Sequence, residues 1–203
     1  GDSADQGVRR GQQFYHAGLD FSLTIPQGWE LLNQPDAVII HTPDKQAFIA
    51  LTLGEFDERL TPEEMLRKQV KGQRLAMEES LKQAGLTGVT AVIPGQPARR
   101  VALIVHNKQA FMFVGAVKGR GSLESEDDQF MAVIGSFRPL TKDELKLAQP
   151  AVIHVVAVKP GDSLESLAKT ADLPGDKTAR IRLLNGLYPN GEVITGDMLK
   201  LVR

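Results

Sequence analysis

The sequence contains no cysteine in 203 residues. That single absence excludes disulfide staples, thiolate zinc sites, iron–sulfur clusters and cysteine nucleophiles. It also lacks any apolar run approaching the roughly 20 residues a helix needs to cross a bilayer, so the chain is expected not to span a membrane. Neither sign of charge is in excess: 24 Lys and Arg stand against 25 Asp and Glu, a net charge of −1. No basic field is available to hold nucleic acid, and none is expected as a partner. Aromatic residues make up only 5%, with a single Trp. What is present is an ordinary globular mixture, 42% hydrophobic and 24% charged, which excludes wholesale disorder and predicts one large or two modest domains. The opening Gly1 to Gly7 is polar, with neither an initiator Met nor a signal-peptide pattern. It reads as the start of a processed or truncated chain whose targeting segment and further domains lie upstream.

Along the chain, residues 1–17 read as a polar lead-in. Phe21, Leu23 and Ile25 then alternate with Ser22 and Thr24 as a half-buried strand. Pro26-Gln27-Gly28 turns the chain into Trp29-Glu30-Leu31-Leu32, and Pro43-Asp44-Lys45-Gln46 joins two β-rich runs, 37–42 and 47–53, as a hairpin. Thr61-Pro62-Glu63-Glu64 has the makings of a capping box with Pro in the first turn. Leu66, Val70, Met77, Leu81 and Ala84 follow at helical spacing, with Gly85 as terminator. One long amphipathic helix over 61–85 is the prediction. Strands are predicted at 89–93, 97–106 and 109–117, the last two joined by Asn107-Lys108, and a second helix at 123–136. About seven strands and two helices in about 120 residues, with hairpins dominating, favour α+β: an antiparallel sheet with packed helices. Residues 142–151 read as a linker. The pattern then restarts as strand 153–158, helix 163–170, helix 177–185 and strand 198–202, a small βααβ unit over 152–203.

In that tail Val156 and Val158 point into a core completed by Leu164, Leu167, Ile181, Leu184, Leu199 and Leu201. Gly161 permits a sharp exit from the first strand, Asp162-Ser163 start the first helix, and Gly196 turns the chain into the last strand. The run Val156-Ala157-Val158-Lys159-Pro160-Gly161-Asp162-Ser163-Leu164, with Leu167-Ala168, Leu184-Asn185-Gly186-Leu187, Val193, Gly196, Leu199 and Leu201, resembles a LysM module. The resemblance implies a shallow groove for N-acetylglucosamine-containing glycans such as peptidoglycan, formed between two loops. Carried onto this chain, its glycan-binding residues are Gly161, Asp162, Ser163 and Leu164 in one loop and Gly191, Val193, Ile194 and Thr195 in the other.

The front region, 18–141, resembles the PsbP-like fold. The cue is Gly18-Leu19-Asp20-Phe21-Ser22-Leu23-Thr24-Ile25-Pro26-Gln27-Gly28-Trp29, a strand ending in Pro-x-Gly-Trp, continued by a long central helix and a closing helix before Ser136-Phe137-Arg138-Pro139-Leu140. The lead-in Val8-Arg9-Arg10-Gly11-Gln12-Gln13-Phe14, the strand ending in Pro-x-Gly-Trp, the Ser-Phe-Arg-Pro-Leu junction and the divergent LysM tail together resemble the C-terminal accessory region of bacterial zinc metalloproteases of the BepA and HtpX kind. This implies a non-catalytic binding region, periplasmic or secreted. Its partners would be peptidoglycan and an upstream protease domain or another envelope protein. No cofactor is expected in this chain; the zinc would belong to the upstream catalytic domain. The alternative is a stand-alone exported glycan-binding protein without a protease.

His-Glu-x-x-His is absent, and none of His16, His41, His106 and His154 stands one helical turn from another. A site assembled in space from His41, His106 and His154 stays open; ordinary strand histidines are the preferred reading. The run Glu124-Ser125-Glu126-Asp127-Asp128 has no calcium-loop Gly and reads as helix-start acidity. Ser125, Ser136 and Ser163 lack a nucleophile-elbow setting. Met65, Met77, Phe111, Phe113 and Phe130 read as core and Trp29 as a cap on it, while Arg9-Arg10 and Arg99-Arg100 read as solvated pairs. A glycan-cleaving enzyme would need two carboxylates facing a cleft, and no pattern nominates them.

Overall fold

The structure is a computed structural model and describes residues 7–148, 152–173 and 175–203. The first six residues of the expected lead-in, and residues 149–151 of the expected linker, lie outside them. The chain divides into two compact units, Gly1–Gln149 and Pro150–Arg203.

In the first unit, β1 (Val8–Arg10), β2 (Gln13–His16) and β3 (Phe21–Thr24) form a three-stranded antiparallel sheet. Residues 8–16, expected as lead-in, are therefore structural. Their signal was Phe14-Tyr15, two large rings in a polar stretch, and both are buried. The second sheet has seven strands: β4 (Glu30–Asn33), β5 (Val38–His41), β6 (Ala47–Gly54), β7 (Ala76–Gln83), β8 (Leu86–Ile93), β9 (Arg99–His106) and β10 (Gln109–Val117). Their spatial order is β4-β5-β6-β10-β9-β8-β7, and every pairing is antiparallel. The architecture is α+β, built on antiparallel sheets with few helices.

Both faces of the seven-stranded sheet are covered, as the period-2 alternation of its central strands requires. Val89, Ala91, Val101, Leu103, Ala110 and Met112 face one side, with Met65, Leu66 and Val70 of helix α1 (Pro62–Gln69) and its C-cap. Ala102, Ile104, Phe111 and Phe113 face the other, with Phe14, Phe21 and Leu23 of the small sheet. Phe130, Val133 and Ile134 of helix α2 (Asp127–Ser136) join them there. Trp29 caps this second core, its ring edge-on to Phe130 at 6.2 Å. Gly115 of β10 lies under Phe130, where a Cβ would come within 2.7 Å of the ring.

The long helix expected over 61–85 does not form. The Thr61–Glu64 capping box is present, but α1 ends at Gln69, and Lys71 and Gly72 follow in left-handed conformation (φ 52° and 78°). The chain then returns as the β7–β8 hairpin through Ala84-Gly85 (φ 48° and 77°). The misreading has a physical cause. A spacing of four residues, as between Met77 and Leu81, places both on one face of a helix and, in a regular strand, also on one face of the strand; in β7 the register shifts between Ala76 and Glu79, with Met77 at φ 52°. Gly85 is the hairpin turn, not a helix terminator. Met77, expected in the core, sits on edge strand β7 and is 74% exposed. Glu78, Glu79 and Lys82 charge that edge, a common protection against pairing with other chains.

The expected linker contains helix α3 (Lys142–Ala148). Thr141 and Glu144 form a second capping box: the Glu144 amide donates to Thr141 Oγ1 and the Thr141 amide to Glu144 Oε1. Glu144 is also gripped by both terminal nitrogens of Arg138 at 2.6 and 2.7 Å. That hydrogen-bonded guanidinium lowers the Glu144 carboxyl from 4.5 to about 2.

In the second unit β11 (Ile153–Ala157) pairs antiparallel with β12 (Met198–Val202), and α4 (Leu164–Ala168) and α5 (Lys177–Leu184) lie between them in sequence. Val158, Ala168, Ala171, Ile181, Leu199 and Leu201 form its core.

Two measurements check this fold. Gly115→Ala should lower stability by about 2 kcal/mol in urea denaturation, because the new methyl must displace the Phe130 ring. Glu144→Gln should cost about 1 kcal/mol at pH 7, a value reduced by the partial exposure of Arg138. A depressed carboxyl pKa stabilises above its unfolded value, so the gap between parent and variant should close as pH falls from 4.5 toward about 2.

Candidate functional site

In the second unit two turns, 159–162 and 194–197, overlap the loops nominated by the sequence and are built on one pattern. In the first, the Lys159 amide donates to Asp162 Oδ2 at 2.9 Å and the Asp162 amide returns a bond to the Lys159 carbonyl at 3.0 Å. In the second, the Ile194 amide donates to Asp197 Oδ2 at 2.9 Å and the Asp197 amide to the Ile194 carbonyl at 3.0 Å. Each is a four-residue turn braced by the Asp at its end, with Gly at the third place in left-handed conformation (Gly161, φ 88°; Gly196, φ 94°). The turns are joined through Val158, whose amide donates to the Asp197 carbonyl and whose carbonyl accepts from the Gly196 amide, both at 2.8 Å.

The nominated residues divide by accessibility. Asp162 turns its carboxylate onto its own loop, and Ser163 is the N-cap of α4, accepting from the Ser166 amide. Leu164 is fully buried, so its side chain is committed to the core, as Val193 is in part. Gly191 is needed where it stands: a Cβ there would lie 2.7 Å from the Leu187 carbonyl oxygen. Ile194 is 71% exposed, and Thr195 and Gly161 are exposed beside their turns.

Two residues of this region, Asp197 and Arg182, escaped the sequence reading, and a third, Asn185, has a tie beyond its place at the helix end. Asp197 was legible, since Pro160-Gly161-Asp162 and Thr195-Gly196-Asp197 repeat Gly-Asp at the same turn position. Arg182 was not. Its guanidinium donates to the Gly191 carbonyl at 3.0 Å and reaches Glu165 at 3.2 Å and Glu192 at 2.6 Å. It thereby ties the first turn of α4 to the loop before β12. Asn185 accepts from the Lys200 amide and donates to the Lys200 carbonyl, extending the ladder beyond β12 with a side chain.

The chemistry-bearing residues of the first unit are engaged in structure. His41 Nδ1 lies 2.7 Å from the Thr42 carbonyl. His106 Nε2 lies 2.8 Å from the Asp20 carbonyl and 3.4 Å from its carboxylate. His154 is on β11, in the other unit. Among the described residues no three His, Asp or Glu side chains stand close enough to hold a metal ion. Ser136 donates to the Val133 carbonyl and accepts from the Thr24 amide, and Ser125 donates to the Ser122 carbonyl. Arg100, expected in solvent, is buried. Its Nε and Nη2 donate to the two Asp127 oxygens at 2.8 and 2.6 Å, and Nη1 donates to Thr90 Oγ1. Asp127 of the acidic run is thus spent on this pair.

No protein-family model and no curated protein matches the chain. Among solved structures it is similar to the cyanobacterial PsbP protein of Synechocystis sp. PCC 6803, at 12% identity and TM-score 0.47, over 66% of this chain and 98% of that one. It is also similar to a protein of Bacteroides thetaiotaomicron, at 13% identity and TM-score 0.42, over 75% of this chain and 55% of that one. Likenesses of this strength assign neither family nor activity. In the described residues, no helix is long and apolar enough to cross a membrane.

Asp197→Ala should remove the brace of the second turn. Hydrogen exchange at the Ile194 and Gly196 amides should rise about tenfold, while amides of the seven-stranded sheet keep their protection.

Proposed function

We propose that this chain is a non-catalytic binding region of the bacterial cell envelope whose second unit grips N-acetylglucosamine-containing glycan. The observation that carries the reading is the pair of Asp-braced Gly-Asp turns, 159–162 and 194–197, tied together through Val158. An acetamido group needs a donor, an acceptor and a small apolar floor. Rigid turns supply backbone amides and carbonyls, and Ile194 supplies exposed apolar surface. In this reading the tail is a LysM-like module and residues 18–141 a PsbP-like docking module. The chain would belong to an exported zinc metalloprotease whose catalytic helix and metal lie upstream, holding it near peptidoglycan or an envelope protein. Bond-breaking is assigned elsewhere because the serines and histidines described above are tied into turns, caps and strand ends.

Titration of the full chain with N-acetylglucosamine oligomers should shift the amides of 159–163 and 193–197 saturably at millimolar sugar or below. Ile194→Asp, at an exposed position that leaves the fold intact, should weaken the effect at least tenfold. No shift at millimolar sugar would remove glycan as the ligand. The genomic reading frame preceding Gly1 tests the parentage: a His-Glu-x-x-His helix is expected there, and a frame without one ends the protease assignment.

A further inference from the structure

We propose that the first unit carries a separate small-molecule site, a half-open cavity of about 270 Å³ that takes a single ring or branched alkyl group bearing an amine. The site lies at one end of the seven-stranded sheet. There Val38, Leu51, Leu53 and Phe111 share one face by register: Val38 pairs with Leu51, and Leu53 with Phe111. The β2–β3 turn closes over them, bringing Leu19, Phe21 and His16 to the wall. Phe21 stands 5.6 Å from Phe111, edge to face, and His16 stacks on Phe21 at 5.3 Å. The floor is therefore aromatic and rigid. His16 is held in turn by the Leu19 amide, which donates to Nδ1 at 3.0 Å.

Three features define the ligand. The volume lies below the ~300–1,000 Å³ of drug-sized pockets, so one ring fits and a lipid chain does not. The mouth is formed by Leu53, 47% exposed, and by the β4–β5 turn, which the Gln34 amide closes onto the Ala37 carbonyl at 2.8 Å. An exposed leucine at the lip of an apolar cavity leaves a surface that a second apolar group can cover. Charge decides the rest. The lining contains one carboxylate, Asp36, and no Lys or Arg. Among the described residues Asp36 has neither an ion-pair nor a hydrogen-bond partner. A ligand that seats its apolar body on Phe21 and Phe111 and leaves a cation at the rim meets a complementary charge there; a carboxylate meets a like one.

The test uses the full chain, with nuclear magnetic resonance titration of three probes sharing one ring: phenethylamine, 2-phenylethanol and phenylacetate. Phenethylamine should perturb resonances of His16, Leu53 and Phe111 saturably, with a dissociation constant on the order of 1 mM. It should bind about threefold tighter than the alcohol, the size an exposed charge pair contributes, and phenylacetate more weakly than either. Asp36→Asn should bring amine and alcohol to equal affinity. Leu53→Trp, an exposed position whose larger ring blocks the mouth, should abolish binding of all three while the spectrum stays dispersed. Absence of saturation, or binding that survives Leu53→Trp, overturns the site. A preference for phenylacetate, or an amine preference that survives Asp36→Asn, overturns the ligand class.

Discussion

Among the described residues the guanidinium of Arg100 is the only formally charged group in the short set of buried polar residues, and its pairing sets where helix α2 can sit. It projects from β9 on the same side as Ala102 and Ile104, into the space where a second layer must cover the sheet. A buried charge without a partner would cost several kcal/mol. The bidentate grip of Asp127 at 2.8 and 2.6 Å removes that cost. It does so only if the first turn of α2 lies directly over β9. The other end of α2 is held by Gln83, whose side-chain amide donates to the Ile134 and Phe137 carbonyls at 2.8 Å each. Between these two anchors, Phe130 settles over Gly115 and Phe137 joins Phe21, Phe111 and Phe113. The aromatic core, and with it the floor of the cavity, follows from that placement.

A sheet buried on both faces leaves function to its ends and edges. In the first unit the accessible chemistry is accordingly found where strands stop: at the β2–β3 and β4–β5 turns and at the exposed end of β6. The second unit reaches the same condition by a different route. Its core is small, several of its large apolar side chains such as Ile153, Val155 and Ile194 stay exposed, and two braced turns lie beside Val158. The carboxylate of Asp162, nominated from sequence, acts on the backbone instead, as does that of Asp197. They stiffen the turns and leave peptide groups, not ionised side chains, to face solvent.

Much of this was visible in the residues themselves. Pro43-Asp44-Lys45-Gln46 and Asn107-Lys108 are turns for local reasons. Asp44 accepts from Thr42 and from the Gln46 amide, and both Asn107 and Lys108 take positive φ. The Thr61–Glu64 capping box formed as its spacing implies. The same Thr-x-x-Glu pattern at 141–144 starts α3, although its charged residues and a nearby Pro resemble a connector. The helix at 61–85 failed for the opposite reason, a period of four being shared by helix and strand. The signals that separated them were Gly72 and Gly85, each at a positive φ.

The sequence by itself determined the local events: caps, two-residue turns and alternation of apolar positions, and in the second unit also the order of elements. These depend on interactions within a few residues, which the chain carries wherever it goes. Only the tertiary structure decided the fate of Arg100, Arg182 and Gln83, and the placing of His16 against Phe21 in the wall of a cavity. A long polar side chain has no intrinsic address. Whether it is solvated or becomes the tie between two elements depends on which backbone and which opposite charge folding brings within about 3 Å, and those partners lie far away in sequence.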